Sequence, residues 1–491
     1  MFSTPPGASP DENNHYVRAL AVGRGDLMPT KPPPPLPPDP NIDPRIRWLH
    51  LQTRVVSIPA RLSPQPFSCW AEPFFVGDCQ RPAPASGRLI DIGTYVGRYP
   101  PYSYLVPGLL MGVGDDAVGA LMWGRVGVAL TSLAFLVLAL ALLYERGRPL
   151  ALLGLLAAVT PMVVFLMASL SSNGVEVAAA IAFFAALLRL TRAEASSWVW
   201  AAAGASGVML ALVRDLGTAW VLTGSALAVT LGSGGPLKRN YVSARAAAVV
   251  ASAAVAVAIA MSVAWQLTQA AHPRVGLAVL SRIPGQFGHL PDLYRQAVGV
   301  FGPLDAPMPA PAYWLSGIVV VGLSLLAFVA GSARHRVALG ASIVAVVGLG
   351  LVMDAYQSQS GFEAQARHVL PLVVTIPMLA GEIVHRRKER LSHGLRRSLP
   401  LFVGSAAAAV HMLGWYTLAR RFSVGNDGPL LFFRNPPWTP IGLGWLAWAL
   451  VVVFAASLLA MWGGIQYWLP KTGGDDEPIT KNLTSASAPT R

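Results

Sequence analysis

Eleven apolar stretches, each about as long as a bilayer is thick, leave this chain very few folds. They cover Ala117–Tyr144 and then about 150–169, 174–190, 197–213, 216–232, 246–269, 311–331, 336–353, 369–385, 400–418 and 440–465. A helix of about 20 apolar residues crosses the hydrocarbon layer. Inside that layer the backbone must satisfy its own hydrogen bonds, so such segments are helical. Ser197–Gly232 is too long for one crossing, and Arg214-Asp215 interrupts it, so it reads as two spans joined by a tight hairpin. The expected fold is an all-α polytopic integral membrane protein. Hydrophobic residues are 54% of the chain and charged residues only 12%, against about 25% charged in soluble domains. That excludes a soluble globular enzyme and a disordered chain alike.

The net charge of +13 does not point to nucleic acid, because the basic residues sit in short loops between apolar runs. One set of loops holds Arg146 and Arg148, Arg189 and Arg192, Lys238, Arg239 and Arg245, Arg334 and Arg336, and a run from Arg386 to Arg397. The alternate loops are poor in charge; 171–173 has none and 354–368 only Arg367 among basic residues. The positive-inside rule then places the first set and the C-terminus in the cytoplasm. Five regions follow. Residues 1–116 form an extracytoplasmic segment with a Pro-rich stretch and an interfacial helix, and 117–269 a first transmembrane bundle. Residues 270–310 form an extracytoplasmic loop, 311–465 a second bundle and 466–491 a disordered cytoplasmic tail. The sequence Met1–Gly7 is neither a signal peptide nor a span, so a twelfth helix is expected ahead of Met1. High Ala, Val, Gly and Arg usage suggests a GC-rich bacterium, and hence its plasma membrane.

Polar groups in or beside apolar runs are costly and often functional. The orientation puts the candidates on one side: Asp11, Glu12 and His15; Arg125 within the first span; Asn173 and Glu176 opening the third; Arg214 and Asp215 in the hairpin; Arg367 and His368 before a later span. Together they suggest an outward-opening polar cavity. Each also has a plainer reading. Asp11-Glu12 could cap a helix starting near Asn13. Asn173 could be an N-cap with Glu176 completing a capping box. Arg214-Asp215 could be only a turn, and Arg125 could pair with Glu176 or Asp215. Trp48, Trp70, Trp314, Trp438, Trp445 and Trp468 suit interfacial belts. Cys69 and Cys79 would close a small loop as a disulfide outside the cytoplasm and be free thiols inside it. They do not make a zinc site.

Four segments carry a resemblance: Pro10-Asp11-Glu12-Asn13-Asn14-His15, Ser172-Asn173-Gly174-Val175-Glu176, Gly299–Asp305 with Pro307 and Pro309, and Gln365-Ala366-Arg367-His368-Val369-Leu370-Pro371. Together with the two cysteines they resemble the domain of unknown function 2142 family. The chain departs from it by lacking the first helix, by Ala366 in place of Gly and by His368 in place of Tyr. The family is grouped with GT-C glycosyltransferases, which use polyprenyl-phosphate sugars and carry a catalytic acid in the first external loop. The resemblance implies Asp11 or Glu12 as base and Arg367, with Arg214 or Arg125, at the lipid phosphate. It leaves room for a divalent cation, Mg or Mn, on Asp11 and Glu12. The implied partners are the bilayer, a lipid-linked sugar donor and a cell-envelope glycan or lipid acceptor. A flippase of lipid-linked sugars would show an inverted repeat; a non-catalytic envelope assembly protein would have dispensable carboxylates and no deep cavity.

Overall fold

The computed structural model describes residues 2–468 except 40, 73–74, 76–78, 80–85, 193–194, 233–234, 270–276 and 435. The expected tail lies outside these residues, apart from its first three. The first part of the chain builds α1 (Glu12–Gly23), α2 (Pro44–Gln52), β1 (Arg54–Pro59), β2 (Leu89–Thr94) and α3 (Leu105–Met111). The helices of the bundle follow: α4 (Ala117–Leu143), α5 (Leu153–Ala158), α6 (Pro161–Met167), α7 (Ser172–Leu190), α8 (Ser197–Val213) and α9 (Gly217–Gly232). Next come α10 (Pro236–Ser243), α11 (Arg245–Thr268), α12 (Ile283–Gln286), α13 (Leu290–Gly299), α14 (Ala310–Ala330) and α15 (Ala333–Gln357). The last described helices are α16 (Leu370–Val373), α17 (Thr375–Arg386), α18 (His393–Val424) and α19 (Trp445–Trp468).

Seven of these helices are long and apolar enough to cross a membrane: α4, α7, α11, α14, α15, α18 and α19. Every apolar run read from the sequence contains helix, but four lack a single unbroken helix of spanning length. The 150–169 run breaks at Val159-Thr160 and its halves meet at 70°. Pro161 offers no N–H and disfavours a helical Thr160 before it. Thr160 instead caps α6, its hydroxyl accepting the Val163 N–H at 3.4 Å. The α8 and α9 helices fall short of 18 residues, and the 369–385 run is split between α16 and α17.

Helix α7 is the axis of the bundle. Its most apolar window is 89% buried, and α4, α6, α8, α9 and α17 pack around it. The run Val177–Ala186 is mostly alanine, which lets these backbones approach as small residues do in membrane interfaces. Gly174 takes this furthest: a Cβ there would lie 2.3 Å from the Leu166 carbonyl oxygen.

The segment before α4 is a small folded layer of its own. The β1 and β2 strands pair antiparallel, with Val56 opposite Ile92 and Ile58 opposite Ile90. Val56 and Ile58 are buried while Ser57 between them is exposed, the period-two pattern of a sheet with one covered face. Cys69 and Cys79 are joined as a disulfide with Cα atoms 5.9 Å apart. The short helix α3 follows the Tyr-Pro-rich stretch, and α13 lies in the long 270–310 connection.

Candidate functional site

The site begins with the geometry of Asp11. This residue immediately precedes α1 in the left-handed region, at φ 60° and ψ 10°, and its side chain caps no helical N–H. A short polar side chain tolerates that conformation better than most, at some cost in strain. The turn sends two neighbouring carboxylates in different directions. Asp11 accepts from Tyr95 Oη at 2.5 Å and from Arg367 Nη2 at 2.5 Å, and a third of its side chain stays exposed.

Glu12 points into the protein and is fully buried with Arg125. Its oxygens accept from Arg125 Nε at 2.8 Å, Arg125 Nη2 at 2.6 Å, the Gly7 N–H at 3.0 Å and the Leu170 N–H at 2.9 Å. Arg125 also donates to the carbonyls of Thr4 and Pro5, each at 2.7 Å. The Arg125 expectation is thereby corrected: its anion is Glu12, not Glu176 or Asp215. The pair ties residues 4–12 to α4 and to the turn before α7.

The two acids therefore do not fit a shared divalent cation. Glu12 already has four donors, and Asp11 faces elsewhere. Among the described residues no group of three or more His, Cys, Asp or Glu side chains is placed to hold a metal ion.

The α7 start also differs from the capping-box reading. Ser171 is the N-cap, and Asn173 and Glu176 turn instead toward Arg214. Arg214 Nη1 donates to Asn173 Oδ1 and, at 3.2 Å, to Glu176 Oε2. The guanidinium lies 5.3 Å from the Tyr99 ring centre. Trp220 Nε1 donates to Glu176 Oε1 at 3.0 Å.

Asp11, Arg214, Asp215, Arg367 and His368 line one cavity of about 580 Å³. Tyr95 and Tyr99 share their side. Leu349, Val352 and Met353 form another wall; their spacing puts them on one face of α15, a candidate span. Trp48, Leu49 and Gln52 of α2 also line it, as do Phe362, Glu363 and Gln365. A polar end thus meets an apolar wall inside one chamber.

The electrostatics follow from burial and from Arg367. Burial would raise the Asp11 carboxyl, but Arg367 and the Tyr95 hydroxyl outweigh it and hold the group at about 2. Burial pushes His368 well below its ordinary range, so its Nδ1 accepts from Gln357 Nε2 at 3.0 Å. His15 lies outside the cavity lining. Burial lowers it to about 3, and its Nδ1 lies 2.6 Å from Tyr104 Oη.

Other motifs hold the frame. Gly299–Asp305 leads through Gly302 and Leu304, both at positive φ, into a two-residue β3–β4 hairpin (Val300–Phe301 with Ala306–Pro307). Asp305 accepts from Arg421 at 2.5 and 3.1 Å, both side chains buried. Trp438 packs edge-on against both Trp70 and Trp445, with centroids 5.9 and 5.5 Å apart. Trp48 lines the cavity, and Trp314 and Trp468 are exposed. At the other end of α7, Glu145 and Glu382 gather Arg189, Arg192 and Arg386. Tyr95, Tyr99, Trp48 and Gln52 gave no local signal as site residues, because only the folded N-terminal layer brings them to the cavity.

These features define a multi-span helical membrane protein whose N-terminal layer is fastened to the bundle by buried ion pairs. The chain belongs to the family described as Predicted membrane protein (DUF2142), whose model matches residues 1–376. That range contains the whole cavity lining and the Glu12–Arg125 pair. No curated protein matches the chain, and no solved structure matches it.

Proposed function

We propose that the protein is an integral membrane glycosyltransferase of GT-C type. It would move a sugar from a polyprenyl-phosphate donor to a cell-envelope acceptor on the extracytoplasmic face of a bacterial plasma membrane. The observation that carries this reading is the Asp11–Arg367 pair at the polar end of a chamber whose other wall is an apolar face of α15. An amphiphile with an anionic head and a hydrocarbon chain suits both.

In the reaction the acceptor hydroxyl oxygen attacks the anomeric carbon. The bond from that carbon to the phosphate oxygen breaks, and the phosphate leaves with the electron pair. Arg367 and Arg214 oppose the charge that grows on it. Asp11 takes the proton of the acceptor hydroxyl. While paired with Arg367, Asp11 is a weak base. A donor phosphate drawing Arg367 toward itself raises the proton affinity of Asp11 as the substrate arrives. Arg367 Nε and Nη1 are buried without a partner, so the guanidinium has donors to offer before the Asp11 contact is given up. No step passes through a metal.

The test is complementation in the native host with Asp11→Asn. The variant is expected to be made and inserted normally, to lose one envelope glycan and to accumulate a polyprenyl-phosphate sugar. A wild-type glycan profile from Asp11→Asn ends the transferase reading and leaves a transporter or an assembly protein in its place.

A further inference from the structure

The cavity has unmet hydrogen-bonding capacity away from the Asp11–Arg367 pair. Gln52 is buried, and its Nε2 has no partner. Gln365 likewise keeps its Oε1 buried and without a partner. Buried polar atoms are nearly always satisfied, and a native exception calls for a ligand, a water or a function. Both residues line the cavity, and so does Trp48. Trp48 and Gln52 are four residues apart on α2, and so share a face of that helix. Trp48 packs edge-on to Phe362, centroids 5.4 Å apart and planes at 65°, which adds an aromatic corner to the same lining.

The two amides without partners are neutral, each supplies both a donor and an acceptor whichever way it is turned, and Glu363 of the same lining adds a carboxylate that accepts from hydroxyls. Such a surface selects a neutral ligand whose groups donate and accept alike and which also has an apolar face. A pyranose ring has both. The cations of the lining already have anionic partners: Arg367 pairs with Asp11 and Arg214 with Glu176.

We propose that the α2 side of the cavity is a sugar subsite, with Gln52 and Gln365 on ring hydroxyls and Trp48 against the apolar face of the ring. Gln52 is then a specificity-determining residue. The inference rests on the proposed function for the attachment of that sugar to a lipid phosphate, but the subsite itself binds the ring whether or not transfer occurs.

The experiment uses the full chain in lipid nanodiscs, because the head group of a glycoside detergent would compete for the site. Saturation-transfer NMR is recorded with methyl glucoside, methyl mannoside and methyl galactoside as probes. The wild type is expected to transfer saturation to at least one of them. Gln52→Leu should weaken that binding about tenfold, the worth of one buried hydrogen bond. Trp48→Ala should also reduce it, and an unchanged size-exclusion profile shows that each variant is folded. No transfer to any glycoside by the wild type overturns the proposal. So does full binding by both Gln52→Leu and Trp48→Ala, which would place the sugar elsewhere. Glycoside binding alongside a fully active Asp11→Asn variant removes the transferase reading and leaves the subsite standing.

Discussion

Glu12→Gln separates two acids that are adjacent in sequence and have opposite surroundings. The substitution keeps the shape of the side chain and removes one charge. Arg125 then remains fully buried without its carboxylate, facing the Thr4 and Pro5 carbonyls and a neutral amide. Removing one partner of a buried pair costs about 3–5 kcal/mol, because the other charge is left uncompensated. That is roughly a hundredfold or more in the folded-to-unfolded ratio. Arg125→Met should cost a similar amount, since Glu12 would keep only the Gly7 and Leu170 N–H groups. The double variant has no orphaned charge, and its single amide oxygen can still accept from one of those two N–H groups. It should therefore be less destabilised than the sum of the singles, by about 2–3 kcal/mol, at the upper end of what neighbouring residues show. Unfolding of purified protein in nanodiscs, followed by tryptophan fluorescence, gives the cycle. Asp11→Asn provides the milder contrast: its side chain is one-third exposed, so it should lower the melting temperature less than Glu12→Gln does, although Arg367 loses its carboxylate. A Glu12→Gln protein as stable as the wild type, or strictly additive single variants, would falsify the structural role given to the pair.

Two further predictions follow from groups outside the spans. Replacing Cys69 and Cys79 by serine opens a loop of ten residues, for which the loop-closure relation gives about 3 kcal/mol; the N-terminal layer should become protease-sensitive, and unchanged cleavage kinetics would count against that figure. His15 sits below its ordinary 6.5, at about 3, because burial disfavours its charged form. Between those values the unfolded chain binds the extra proton, so stability falls as pH drops below about 6.5, by up to about 1.4 kcal/mol per pH unit from this group. Melting curves from pH 7.5 to 5 should show the fall in the wild type and a shallower one in His15→Gln; equal slopes would refute the assignment.

The residues that made the site legible were those whose cost in lipid demands an explanation. Arg367, Arg214, Asp215, His368 and Asp11 stood out as polar groups at the ends of apolar runs, and the fold brings all five to one cavity. What the sequence could not show was which polar group faces which. Asp11 and Glu12 look interchangeable until a single positive φ turns one to the chamber and the other to Arg125. The partner of Arg125 lies 113 residues away, beyond any local pattern. Asn173 and Glu176 matched a helix-capping pattern, yet Ser171 lies at the cap and Arg214 takes both side chains.

The apolar runs by themselves determined that this chain is a bundle of membrane-embedded helices, because a backbone inside lipid has no other way to satisfy its hydrogen bonds. They also marked the helices well, since hydropathy over about 20 residues is a local property. Only the tertiary structure decided the break at Pro161, the central position of α7, the aromatic packing of Trp70, Trp438 and Trp445, and the arrival of α2 with Trp48 and Gln52 at the cavity. Those features depend on contacts between residues far apart in the chain, and such contacts form only when the folded segments pack against one another.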